Sequence, residues 1–292
     1  MARRVGRRTA RLVALIFLLW SLFPPCRVLA QSWPRSVDEH SWASFPVGSW
    51  KVVLVTTKQF DATGKLVATR WTRTETSLEG VADDECQLRS RSTITTQRSG
   101  DATSATISSP AQTIKLPLRV GAPTPAANAR RWVTIGDQRV AVLVFEKVTR
   151  ADGKVTRHTV WYSPRRAPYV LREQVEIRSE DAPADTAPLV TWDSQVTSFD
   201  PRVPVLDDRC RGWEIKAVRK TPRGTATTIE VHCAEVPGTL VRSSTTETNE
   251  AGRVVRQSVL ELRAYGTAYS KSLSRRDRRR ARRRAHHRKR GR

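Results

Sequence analysis

The chain has 292 residues, 38% of them hydrophobic, and sets 52 Lys and Arg against 28 Asp and Glu for a formal net charge of +24. That apolar content excludes a wholly disordered polycation, and the length allows one domain or two with a sizeable interior. Residues 1–30 carry +6 and residues 271–292 carry +12, leaving +6 for the 240 residues between, so net charge does not make the fold itself a nucleic-acid-binding domain.

Residues 1–30 read as a signal peptide. Arg3, Arg4, Arg7, Arg8 and Arg11 form a positive start, Leu12 to Phe23 an apolar run, and Val28-Leu29-Ala30 a cleavage site. Twelve residues of helix rise about 18 Å, short of the ~30 Å hydrocarbon core, although an uncleaved anchor is the alternative. Cys26 sits in "FPPC", without the small residues of a lipid-attachment signal. The expected location is therefore exported: periplasmic, cell-envelope associated or extracellular.

Ser36–Phe45 holds a short helix at most. From residue 49 the chain alternates in short runs rich in Val, Thr, Ile and Trp: "SWKVVLVTTKQF" into "DATGKLVATRWTRT", "QRVAVLVFEKVT" into "RADGKVTRHTVWYS", "LVRSSTTET" into "NEAGRVVRQSVLELRAY". Gly64, Gly153 and Gly252 restart a strand each time, as a hairpin turn needing positive φ requires. These signals predict an all-β fold over 31–270, an antiparallel twisted sheet or half-barrel built from repeated hairpin units. Pro- and Ala-rich stretches mark loops, and the longest puts a possible internal break near 118–130, with "AQTIKLPL" as an edge strand.

One unit is written twice, as "GKVTRHTVWYSPRRAPYVLRE" from Gly153 and "GTATTIEVHCAEVPGTLVRSS" from Gly224. Each reads as strand, turn, strand, a corner at Pro168 or Pro237, strand, with a spacing of 69–71 residues. Duplication and convergent turn chemistry both account for it. "VADDEC", ending at Cys86, and "VLDDRC", ending at Cys210, form a second echo.

Past residue 30 stand Cys86, Cys210 and Cys233. With "TPRG" as the turn, the midpoint of 210 and 233 falls in the turn, so these two are expected opposite one another in a hairpin. Opposed residues approach to about 4.5 Å between Cα atoms, within disulfide reach. A Cys210–Cys233 bond is the expectation, and Cys86 is left as a buried thiol.

Catalytic patterns are absent: no phosphate-cradling glycine loop, no His-Glu-x-x-His, no Gly-x-Ser-x-Gly. His158 and His232 sit in strand patterns. Asp83-Asp84-Glu85 and Asp207-Asp208 lack the spacing of a calcium loop. No catalytic residue, metal or cofactor is assigned. Eight tryptophans beyond the leader, among them Trp42, Trp132, Trp161, Trp192 and Trp213, either close a core or line a groove.

The tail, "SRRDRRRARRRAHHRKRGR", is too charged to fold and is expected to be disordered. Arg275, Arg276, Arg278, Arg279, Arg280, Arg282, Arg283, Arg284, Arg288, Lys289, Arg290 and Arg292 form a candidate polyanion-binding run for an anionic polymer or anionic membrane surface, without sequence-specific nucleic-acid reading.

The pattern "W…F…GSW", the three glycine hairpins, and "WYSPRRAPYVLRE" beside "EVPGTLVRS" resemble exported bacterial β-proteins of uncharacterised function and the lipoprotein-carrier-like half-barrels, over 42–75, 138–178 and 211–265. The second resemblance implies a curved sheet cradling an apolar chain, although the helical lid of those proteins has no counterpart here. Together these readings point to a non-catalytic cell-envelope binding or scaffold protein with an apolar ligand or partner. A secreted hydrolase using His40, Asp84 or Asp208 is the alternative.

Overall fold

The structure, a computed structural model, describes residues 41–268 apart from 83, 84, 102, 118–126, 128, 184, 200 and 201. The leader 1–30, Trp33, His40, Asp84 and the arginine run 275–292 lie outside the described residues. Among the described residues alternation and β-branched side chains give sixteen strands: β1 (Trp50–Phe60), β2 (Leu66–Val81), β3 (Glu85–Arg98), β4 (Ala105–Ser108), β5 (Gln112–Pro117), β6 (Ala129–Ile135), β7 (Gln138–Ala151), β8 (Lys154–Tyr162), β9 (Val170–Ser179), β10 (Val190–Ser198), β11 (Val203–Val205), β12 (Asp208–Cys210), β13 (Gly212–Thr221), β14 (Gly224–Cys233), β15 (Leu240–Asn249) and β16 (Val254–Gly266). No α-helix occurs among the described residues. Over 41–45, where a short helix was the most the sequence allowed, the chain makes turns.

Among the described residues fourteen strands form one antiparallel sheet, thirteen in the order β4-β3-β2-β1-β16-β15-β14-β13-β10-β9-β8-β7-β6 and β5 off this path. Both β4 and β5 pair the outer side of β3, along Thr93–Thr96 and Glu85–Ser90 respectively. On either side of the possible internal break near 118–130, β5 ends at one edge of the sheet and β6 starts at the other. Ile135 and Val140 from the β6 edge pack with Leu171, Val196 and Trp213 of β9, β10 and β13. The sheet therefore curls at this edge, yet it stays open, because β6 and β4 have no outer partner among the described residues.

Turn chemistry works as the glycines require. Asp152 and Gly153 make a two-residue turn with φ of 52° and 65°. At "DATGK" and "NEAGR" the same five-residue loop recurs. Asp61 Oδ1 accepts from the Thr63 and Lys65 amides, and Asn249 Oδ1 accepts from those of Ala251 and Arg253. The two loops lie side by side, and the Arg253 guanidinium donates to the Ala62 carbonyl at 2.7 Å.

The two copies match at a single offset of 70 residues. Ser163 and Cys233 each donate their amide back across the corner, to the carbonyls of Tyr169 and Thr239. Tyr169 and Thr239 both take positive φ, 39° and 53°. The bulges fall at Trp161/Tyr162 and Val231/His232, again 70 apart. This offset sets Pro168 against Gly238, not against Pro237, because the corner conformation fixes the equivalence and the proline only favours it.

Three apolar clusters hold the sheet. The first is described above. The second gathers Val203, Val205, Cys210, Cys233, Val236, Val241 and Leu262, and the third Trp42, Leu78, Cys86 and Leu88. Elsewhere cross-strand hydroxyl pairs join neighbouring strands, Thr228 with Thr245, Thr57 with Ser258 and Thr74 with Ser92, at 2.9–3.0 Å.

Candidate functional site

Among the hollows that the described residues form on the sheet, two bear on function. The first lies beneath the β11–β12 hairpin and has a volume of about 310 Å³. Val203 and Val205, alternating with Pro204, point down and are 2% and 3% exposed. Val231, Val241, Leu262 and Trp213 complete the apolar lining, with Glu214, Arg242 and Glu261 among the polar groups. The hairpin can sit this close because residue 212 is glycine. A Cβ there would lie 2.1 Å from the His232 carbonyl oxygen and 2.5 Å from Val203 Cγ2.

A disulfide joins Cys210 to Cys233, with Cα atoms 6.0 Å apart. The expected geometry needs correction, however. Cys233 pairs with Gly212, and Cys210 lies two residues earlier in β12. Pro222 and Arg223 alone form the turn, with Thr221 facing Gly224, which moves the hairpin's centre one residue along from the 210/233 midpoint. The bond thus clips the small hairpin onto the large sheet instead of stapling one hairpin across itself. The "DDEC"/"DDRC" echo also dissolves, since Cys86 lies inside β3 and Cys210 ends β12.

Beside the cavity, Trp213 stacks flat on His232, ring centroids 5.4 Å apart and 4° from parallel. Its indole N–H is buried without a hydrogen-bond partner among the described residues. His232 bridges Thr239 Oγ1 and Glu230 Oε2, both at 3.1 Å. Sequence reasoning missed this relay, although Glu230 and His232, two apart on a strand, necessarily share a face. In the first copy the equivalent pair is aromatic, with Tyr162 stacked on Tyr169 at 6.3 Å. The relay lines neither hollow and pins the second corner. His158 is buried against Glu173 at 2.8 Å. Among the described residues no three His, Cys, Asp or Glu side chains converge as a metal site.

The same corner grips the N-terminal segment. Gly238 donates its amide to the Ser41 carbonyl, and the Lys51 Nζ donates to the Gly238 carbonyl at 3.3 Å while lying 5.5 Å from the centre of the Trp42 ring. Burial lowers the Lys51 pKa from 10.5 to about 8. A base whose folded pKa is depressed costs stability below about pH 8, and that cost disappears as pH rises toward 10.5. The protein is thus expected to gain stability over that window relative to Lys51→Met, whose unfolding curve lacks this component. Denaturant midpoints of the two at pH 7 and pH 10 measure the difference.

The second hollow is a polar groove of about 450 Å³ across β8, β9, β10 and β13. Its floor is a register grid: Thr159, Gln174, Asp193 and Val218 form one row and Arg157, Glu176, Thr191 and Lys220 the next. Arg172 grips Asp193 with two hydrogen bonds, 3.0 and 2.6 Å, and Gln174 adds a third at 2.9 Å. Burial acts to raise the Asp193 pKa, but these donors outweigh it and hold the carboxyl below its ordinary value. Trp192 borders this groove. The other described tryptophans divide: Trp42 and Trp213 are buried, while Trp132 is 61% exposed on the edge strand β6 beneath the Arg139 guanidinium. They neither form one core nor line one surface.

No family model matches the chain, and no curated protein matches it. Among solved structures it is similar to a candidate lipoprotein from Parabacteroides distasonis, at 11% identity and a TM-score of 0.29 over 76% of this chain and 97% of that one. It is also similar to a candidate exported protein with YmcC-like fold from Bacteroides fragilis, at 12% identity and a TM-score of 0.28 over 75% and 98%. No residue role is transferred from either.

Proposed function

We propose that this is a non-catalytic, exported cell-envelope binding protein that seats an apolar group beneath the β11–β12 hairpin and associates with anionic polymers or membrane surfaces through its arginine tail. The observation that carries the reading is the cavity itself. It is walled mainly by Val203, Val205, Trp213, Val231, Val241 and Leu262, carries Ser198, Glu214, Arg242 and Glu261 as its polar groups, and is covered by a hairpin clipped through a disulfide. A volume of this size with apolar walls and few polar groups is the usual form of a small-ligand site.

The test uses N-phenyl-1-naphthylamine, which fluoresces on entering an apolar site. The protein is expected to enhance its emission saturably. Val241→Trp, which fills the cavity, and Leu206→Asp, which sets a charge at the exposed hairpin tip, should each weaken binding at least tenfold. Leu206 has φ of 53°, which aspartate tolerates, so the second variant folds even if the first does not. Equal binding by Leu206→Asp and the parent, or no saturable binding at all, overturns the reading.

A further inference from the structure

A second, separate hollow, the polar groove, holds charges that its own ion pairs do not take up. Lys216 and Lys220 stand exposed on β13, four residues apart on one face of the strand. The arginines around them are neutralised: Arg157 by Glu146, Arg172 by Asp193 and Arg178 by Glu176. Neither lysine has an ion pair among the described residues, so the two ammonium groups are the groove's uncommitted charges. Four residues of strand separate their Cα atoms by about 13 Å. Between them lies the row of Gln174 and fixed Asp193, neutral donor beside anionic acceptor.

We infer that this groove docks an anionic polysaccharide, its acidic groups on Lys216 and Lys220 and its hydroxyls on the row between. Sugar hydroxyls need donors and acceptors together, and Thr159, Gln174, Asp193 and Gln195 supply both. A nucleic-acid strand, by contrast, carries a phosphate on every nucleotide, one per 3.4 Å of axis in a duplex strand, and would set phosphates over the row between the lysines, where the cations are already paired with Asp193 and Glu176. The lysine spacing instead matches a polymer in which charges are separated by uncharged hydroxyls.

The experiment must silence the tail. In the full-length chain the twelve basic residues from Arg275 to Arg292 are changed to glutamine, and binding of a heparin oligosaccharide is titrated across a salt series. The tail-neutralised protein is expected to keep binding. Adding Lys216→Gln and Lys220→Gln should weaken it at least tenfold and lower the salt slope by about two, one for each ammonium lost. Lys216→Arg with Lys220→Arg should restore it. Loss of all binding on neutralising the tail, or an unchanged affinity after the lysine substitutions, overturns the proposal. So does equal, equally lysine-dependent binding of a single-stranded oligonucleotide. Failure of the naphthylamine experiment leaves this result unaffected, because the probe reads a different cavity.

Discussion

Replacing Gly224 by alanine is expected to destabilise the protein by about 4 kcal/mol, combining an unfavourable backbone conformation with a clash that cannot relax cheaply. Gly224 has φ of +136°, and a Cβ there would lie 1.9 Å from the Thr248 carbonyl oxygen and 2.9 Å from the Asn249 Cα. Both obstacles are backbone of β15, which pairs with β14 from this residue onward, so relief would mean breaking the ladder. Gly153→Ala is the control. It also has positive φ, +65°, but nothing lies within 4 Å of its added Cβ, and it should cost about 1 kcal/mol. Thermal unfolding separates the two, with the Gly224 variant melting about 10 °C lower. Equal losses would mean that conformation alone, not the β15 contact, sets the cost.

Removing the disulfide is the second large effect. Its partners lie 23 residues apart, a loop whose closure contributes about 3 kcal/mol by constraining the unfolded chain. Serine is the natural substitute at 233, because the first copy already carries Ser163 at that place, 1% exposed and with the same corner bond. Cys210→Ser with Cys233→Ser should therefore preserve the corner while unclipping the hairpin. Thermal unfolding is expected to shift down by roughly 6–12 °C for this loss, and naphthylamine binding should weaken with it. A reductant should lower the midpoint of the parent and leave that of the double variant unchanged. Cys86 does not complicate the comparison: it is fully buried, and desolvation pushes its thiol pKa up, which keeps it in the unreactive form.

The strands and their glycine turns were legible because both depend on local rules. Alternation sets the strand, and positive φ at Gly64, Gly153 and Gly252 sets the turn. The edge strand at 112–117 was legible for the same reason. Register was less so. The turn at Pro222-Arg223 lies one residue from the midpoint of the two cysteines, and a shift of that size moves Cys210 off the ladder and into another hairpin. The two hollows could not be read at all. Lys216, Gln174 and Asp193 are neighbours only because β13, β10 and β9 pair in a particular register, and the apolar cavity exists only because Gly212 lets a separate hairpin approach. The tryptophans misled because the buried apolar residues fall into separate clusters and offer no single interior for them to mark.

The pairing of β1 with β16 has a mechanical consequence. Trp50, at the start of β1, lies opposite Gly266, at the end of β16, so the chain enters and leaves the sheet at the same rung. Tension applied between these two points would peel the strands apart one hydrogen-bonded pair at a time, like a zip, instead of loading every rung together in shear. The seam where the two ends of the fold meet is therefore its weak direction under pulling, whatever its strength against heat.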